Sequence, residues 1–320
     1  MTEARTQWVR KVSLLLVQGE EALDVSAFRI RFSTQNADVE SPNSCAIRVY
    51  NLSKELVNKV GVKGEFSRVV LSAGYEGGNF GIIFKGDIKQ FKIGRENATD
   101  SYLDIFASDG DIGYNQGIVN GNLAKGATNL DKIFAIAKAF PGMGLDIGAL
   151  AVTHQYMPSI RGSVFIGMAR ARMREVTTHL DAGWSISDGV IVVTDNTGYR
   201  DGEAVVINVA TGLIGVPEQT DSGIRVRCLL NSKIRIGGRI KLNNDEISRL
   251  YQQNPEMAPI PANQWTGFQL VAGLSDKGFY RTFVVEHDGD TRGNEWTTTL
   301  TCLTVNETAG DPNKSVQEDQ

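Results

Sequence analysis

The chain has 320 residues and a mass of 34.9 kDa, room for two domains and a third small one. Hydrophobic residues make up 41% and charged residues 22%, with 34 Gly against 8 Pro, which excludes a disordered or low-complexity chain and points to a turn-rich globular one. Lys and Arg number 33 against 37 Asp and Glu, a net charge of −4, so the positive field of a dedicated nucleic-acid binder is missing.

At the N-terminus Arg5, Arg10 and Lys11 precede the apolar run Val12 to Val17, which Gln18 and Gly19 end. That run falls short of the about 7–15 apolar residues of a secretory leader, so it reads as a strand. No stretch approaches the ~20 apolar residues of a membrane span. Cys45, Cys228 and Cys302 are odd in number and far apart, and read as buried thiols of a chain folded in a reducing cytoplasm.

From Val12 to about Asp109 the pattern alternates with period two, as in strands with one buried and one wet face. Phe28, Ile30 and Phe32 share one face, with Arg29 and Arg31 opposite; Ile47 and Val49 face inward, with Arg48 outward. Ser53 is an N-cap for a short helix over 53–60. From about Tyr114 to Tyr199 helical spacing appears: one helix through Leu130, Ile133, Phe134 and Ile136, stopped by Pro141-Gly142, and a second expected over 163–184. Trp184–Ser187 and Val190–Thr194 then form a hairpin turning at Asp188-Gly189. Alternation returns after Gly202, interrupted by the polar, Pro-containing loop Gln252 to Gln264, and the chain ends in a frayed tail.

Three pairs of segments recur in order, at offsets of roughly 195 residues. Arg29–Phe32 matches Arg225–Cys228, Ile47–Asn51 matches Ile240–Asn244, and a strand–turn–strand unit pivoting on Gly94 matches one pivoting on Gly289. Gly94, and Asp288, Gly289, Asp290 and Gly293, are therefore assigned to structural hairpin turns. The expected fold is mainly β with an α+β insertion: two similar β-barrel domains related by internal duplication. The boundaries are 1–112 for the first barrel, 113–203 for the α+β middle domain, 204–308 for the second barrel and 309–320 for a flexible tail.

Chemistry is sparse. Lys125 in GNLAKGAT precedes Gly rather than following it, so there is no phosphate-cradling loop, and GMGLDIG follows a helix end rather than a strand and reads as a helix-terminating loop. His154, His179 and His287 lack metal-ligand spacing, and in the acidic run Asp288 to Glu295 Arg292 occupies a calcium-ligand position. Asp109/Asp111 and Asp288/Asp290 are the carboxylate pairs a glycoside hydrolase would need to bring together. Arg170, Arg172 and Arg174 form a partner patch or, more simply, a solvated helix face. No catalytic, metal or cofactor residue is assigned.

SPNSCAIRVYNLSKE, AGYEGGNFGIIFKGDI, TGLIGVPEQTDSGIRVRCLLNSKIRIGGRIKLNN and YRTFVVEHDGDTRGNEWTTTLTCLT resemble baseplate hub proteins of contractile-tailed bacteriophages, relatives of the N-terminal part of type VI secretion spike proteins. The resemblance covers about residues 10–110 and 205–305 and transfers no active site. It implies a structural subunit of the virion tail baseplate, assembled in the host cytoplasm, that acts without turnover. It implies a homotrimer presenting six similar units as a pseudo-six-fold ring between the tail tube and the central spike, with the tape measure protein and baseplate wedge as further partners. DNA would only pass through the channel, and an acidic balance would suit a lumen that does not grip it. The alternatives are a cell-wall hydrolase, or a carbohydrate-binding β module, of the tail tip.

Overall fold

The computed structural model describes residues 7–62, 65–147, 158–196, 198–200, 202–220, 223–242 and 278–304. The loop expected over 252–264 and the C-terminal tail lie outside these residues.

The first third contributes β1 (Arg10–Gln18), β2 (Glu21–Asp24), β3 (Ile30–Ala37), β4 (Ser44–Tyr50), helix α1 (Lys54–Val57), β5 (Arg68–Tyr75), β6 (Gly81–Arg95) and β7 (Ser101–Ser108). Alternation decides their facing: Ile30 and Phe32 of β3 are buried while Arg31 and Ser33 are exposed. Ser53 caps α1, its hydroxyl accepting the N–H of Leu56.

The middle third contributes α2 (Asp111–Gln116), β8 (Ile118–Leu123), α3 (Asn129–Ala137), β9 (Gly144–Ile147), β10 (Ser163–Met168), α4 (Ala169–His179), β11 (Ala182–Ser187) and β12 (Val190–Asp195). Thr128 and Asp131 close a reciprocal capping box on α3. Two expectations are corrected here. The second helix begins only at Ala169; residues 163–168 form β10, because Val164, Phe165 and Ile166 alternate and Gly167 takes a positive φ that no helix continues through. GMGLDIG is not merely a loop, since its residues 144–147 form β9, parallel to β12.

The last third contributes β13 (Val205–Ile207), β14 (Leu213–Thr220), β15 (Gly223–Leu229), β16 (Arg239–Leu242), β17 (Phe279–Asp290) and β18 (Trp296–Thr304). Among the described residues its strands do not form a separate barrel. β17 pairs antiparallel with β3, from Val284 opposite Ala37 to Asp290 opposite Arg31. This joins both outer thirds into one 13-stranded sheet in the order β14-β15-β18-β17-β3-β4-β7-β6-β5-β1-β2, with β13 and β16 attached beside β17. Among the described residues the sheet does not close into a barrel.

Within that order the runs β3-β4-β7-β6 and β14-β15-β18-β17 share one connection pattern. In each, the first two strands form a hairpin, the second pairs with the last, and the last pairs with the third. In this strand order β17–β18 takes the place that β6–β7 takes in the first run. The other two matches are out of step: β15 occupies the place of β4, not of β3. Alternating strands resemble one another too closely for sequence similarity to select the partner.

The buried core falls into three clusters. One lies under the first third, around Leu14, Phe32, Ile47, Leu71 and Ile105, and takes in Leu230 and Trp296 from the last third. The second packs α3 and α4 on β11 and β12 through Ile133, Met173, Trp184 and Ile191. The third, around Ile224, Val226, Tyr280 and Leu300, belongs to the last third alone.

Candidate functional site

Eight strands, β14 to β6 through the β17–β3 seam, present a polar face opposite the core. Cross-strand partners place Arg227, Thr299, Glu286, Gln35 and Ser44 in one row, and Asp290, Arg31, Arg48, Asp104 and Lys92 in the next but one. A groove of about 520 Å³ runs over the seam, lined by Arg31, Ser33, Arg48, Asp104, Phe106, Arg227, Asp288 and Glu295.

The face is mixed in charge rather than acidic. Arg225 and Arg227 lie on β15, threonines on β18, Glu286 and Asp288 on β17, Arg31 and Arg48 on β3 and β4, Asp104 on β7 and Lys92 on β6. Arg31 stands directly opposite Arg48, an arrangement that repels unless each is answered from its other side. Asp104 answers Arg48 with a bidentate pair of 2.7 and 3.0 Å, and the guanidinium lies 3.8 Å from the Tyr102 ring centroid. Glu295 answers Arg31 at 3.4 Å, both side chains half exposed.

At the end of the seam Arg29 grips Asp290, 2.7 Å from Nη2 to Oδ2, and stacks on Tyr50. Burial pushes the Asp290 carboxyl up, but Arg29 and the amide N–H groups of Arg292 and Gly293 outweigh it and hold the pKa below the usual aspartate value. Its oxygens are thus occupied by donors of the chain. Among the described residues no three His, Cys, Asp or Glu side chains are grouped to hold a metal ion.

The turn assignments need correction. The first hairpin turns over 96–100, where Asn97 and Asp100 bond one another, and the second over 291–295. Gly94 and Gly289 are strand residues, opposite Tyr102 and Trp296. Each admits an aromatic ring: an added Cβ would lie 2.5 Å from the Tyr102 ring at Gly94 and 2.4 Å from the Phe32 ring at Gly289. Asp288 also lies within β17 and Asp290 ends it, while Gly293 is in the turn, its carbonyl accepting from Arg10.

The middle third docks on the same seam from the side of β12 and the β11–β12 turn. Arg281 of β17, 6% exposed, donates to the carbonyls of Asp195, Asn196 and Gly198 and to the carboxylate of Asp38. Asp38 in turn accepts from the hydroxyl of Ser185 at 2.8 Å. Asn43 bridges further, its Oδ1 accepting from Ala37 N–H and its Nδ2 donating to the Ile186 carbonyl. Asp109 accepts the Gly189 N–H at 2.9 Å. Burial, then the charge of Asp188, pushes the Asp109 carboxyl up to about 7. It does not converge with Asp111, which pairs with Lys89 at 2.7 Å.

The three arginines of α4 do not form an open patch. Arg172 pairs with Glu175, Arg174 reaches Glu40, and Arg170 bonds the Tyr114 carbonyl and stacks on its ring. Sequence reasoning passed over Arg281, Asp38 and Asn43. Arg281, a charge inside the apolar run FYRTFVVEH, was their only signal.

A family model described as Baseplate hub gp41 matches residues 9–248, well over half of the chain. No curated protein matches the sequence. Among solved structures, a tail protein from Neisseria meningitidis MC58 superposes with a TM-score of 0.57 at 10% identity, over 93% of this chain and 97% of that one. An Escherichia coli component of the type VI secretion system, described as structurally similar to the T4 bacteriophage tail proteins gp27 and gp5, gives 0.52 at 11% identity, covering 95% and 79%. A chain of the Francisella PdpA-VgrG complex gives 0.53 at 6% identity, covering 94% and 59%. At these identities the likeness is one of fold.

Proposed function

Because the chain belongs to the baseplate hub gp41 family, we propose that it is a structural subunit of the virion tail baseplate, three copies of which form a pseudo-six-fold ring joining the tail tube to the central spike. The observation that carries this reading is the repeated order of four strands, β3-β4-β7-β6 and β14-β15-β18-β17, side by side in one sheet. A chain with two similar units offers a three-fold assembly six quasi-equivalent positions, the way to match a six-fold tube to a three-fold spike. The strand order also favours duplication of a four-stranded unit as the origin of the two outer thirds.

Further support comes from the charged face. Eight strands with a hydrophilic side and ends that are unpaired, among the described residues, at β14 and the far half of β6 suit a wall that neighbouring copies continue around a channel for DNA. The spike and the tail tube are the proposed axial partners, with the tape measure protein and the wedge beyond them. The fold shared with a chain of a PdpA-VgrG complex favours the spike. Three cores support boundaries near 112 and 203, the one at 308 lying outside the described residues, and assembly in the host cytoplasm accords with three unpaired buried thiols. The role requires no turnover, and it accords with Asp290 being held by Arg29 and Asp111 by Lys89.

Sedimentation of the full chain over a range of concentrations tests the reading. It predicts a species of three times the 34.9 kDa chain mass; a dimer, or a monomer that stays monomeric with spike protein added, would contradict it.

A further inference from the structure

The polar face carries Arg225, Arg227, Arg31 and Arg48, and its carboxylates are placed between the cations. Arg227 is separated from Arg31 by the β17 acids, and Arg48 from Lys92 by Asp104. Neighbouring strands are ~4.8 Å apart, so each cationic stripe lies within about one Debye length, ~8–10 Å, of an anionic one. Opposite stripes this close cancel a short distance above the surface, whereas either sign alone would project a field into solvent.

Resting on the ring reading above, we infer that Glu286, Asp288 and Glu295 mask the arginines of the seam, making the sheet a low-retention surface for a polyanionic duplex rather than an acidic, repelling one. The face stays hydrated and charged, yet a phosphate backbone meets each arginine together with a carboxylate. None of these three acids is fully buried, so they are not needed to hold the core. Their removal leaves Arg31 and Arg227 facing the groove without the opposing stripe, while Arg48 stays paired with Asp104.

The test is fluorescence anisotropy of a labelled 20-base-pair DNA duplex against full-length protein, with light scattering on the same samples. Wild type should show only weak retention at about 50 mM salt. The variant E286Q/D288N/E295Q should bind at least roughly tenfold tighter with a steeper salt dependence, as newly available cations displace counterions. Adding R31Q and R227Q should return binding to the wild-type level. A control that removes three exposed acids elsewhere, E20Q/E21Q/E55Q, should change little. Equal gains from the seam and control variants, or none from the seam variant, would overturn the inference, as would tight binding by wild type. Because light scattering reports assembly independently, failure of the ring and failure of the masking are distinguishable.

Discussion

Arg281 and Asp38 form an ion pair in which both side chains are only 7% exposed, at the place where β17, the end of β3 and the tail of β12 meet. The Arg281 guanidinium also holds three backbone carbonyls at 2.8, 3.1 and 2.9 Å. One side chain therefore fastens the middle third to the seam between the two outer thirds. Removing it takes the opposite charge from a buried carboxylate, which keeps the Ser185 hydroxyl, and a charged donor from three carbonyls.

Arg281→Met is accordingly expected to destabilise the fold by about 3–5 kcal/mol, the usual consequence of breaking one partner of a buried pair. Arg281→Lys keeps the charge but not the fork, and should fall between. Urea unfolding followed by tryptophan fluorescence measures both, and a loss below about 1 kcal/mol for the methionine variant would show that the pair does not fasten the seam.

Asp109 predicts a stability that falls with rising pH. Its folded pKa is raised from 3.8 to about 7, so between these values the folded state binds more protons than the unfolded one. The stabilising contribution of the protonated form is complete below 3.8 and lost as pH rises through about 7. Asp109→Asn keeps an acceptor for the Gly189 N–H and removes the buried charge. It should be more stable than wild type at pH 8, by on the order of 2–4 kcal/mol, and nearly equal to it at about pH 4. A constant difference across that range would contradict this.

His287 gives the opposite slope. It is fully buried, its Nδ1 2.9 Å from the Thr298 hydroxyl, and burial lowers its pKa from 6.5 to about 4. The unfolded state then binds more protons between these values, so stability is lost as pH falls from 6.5 toward 4. In His287→Gln that acid-side slope should flatten, which thermal melts from pH 7 to pH 4 would reveal.

Gly289→Ala should cost about 1–3 kcal/mol, because the new methyl would meet the Phe32 ring and the strands cannot separate without breaking the seam. Gly77→Ala is the contrasting case. An added Cβ there meets nothing within 4 Å, leaving only the strain of a positive φ. Equal losses by calorimetry would remove the argument from ring packing.

The strands of the first third could be read from the chain because one face is apolar and the other charged, as Ile30, Arg31 and Phe32 illustrate. Helix α3 was equally plain, with its apolar spacing and the Pro141-Gly142 stop. What failed depended on partners distant in sequence. β10 resembled the start of α4 because alternation over six residues runs straight into a helix, and its pairing with β8 is what fixes it as a strand. The seam depends on β3 meeting a strand some 250 residues later, which no local pattern encodes. The candidate site was legible as charges on strands, Arg31 and Arg48 among them, but their answering by Asp104 and Glu295 needed the register.

Negative-stain electron microscopy of the purified chain tests the central claim most directly. The account predicts three-fold rings with six lobes and an axial hole, the two outer thirds of each copy supplying two lobes. Compact single particles at every concentration, unchanged when spike protein is added, would contradict it.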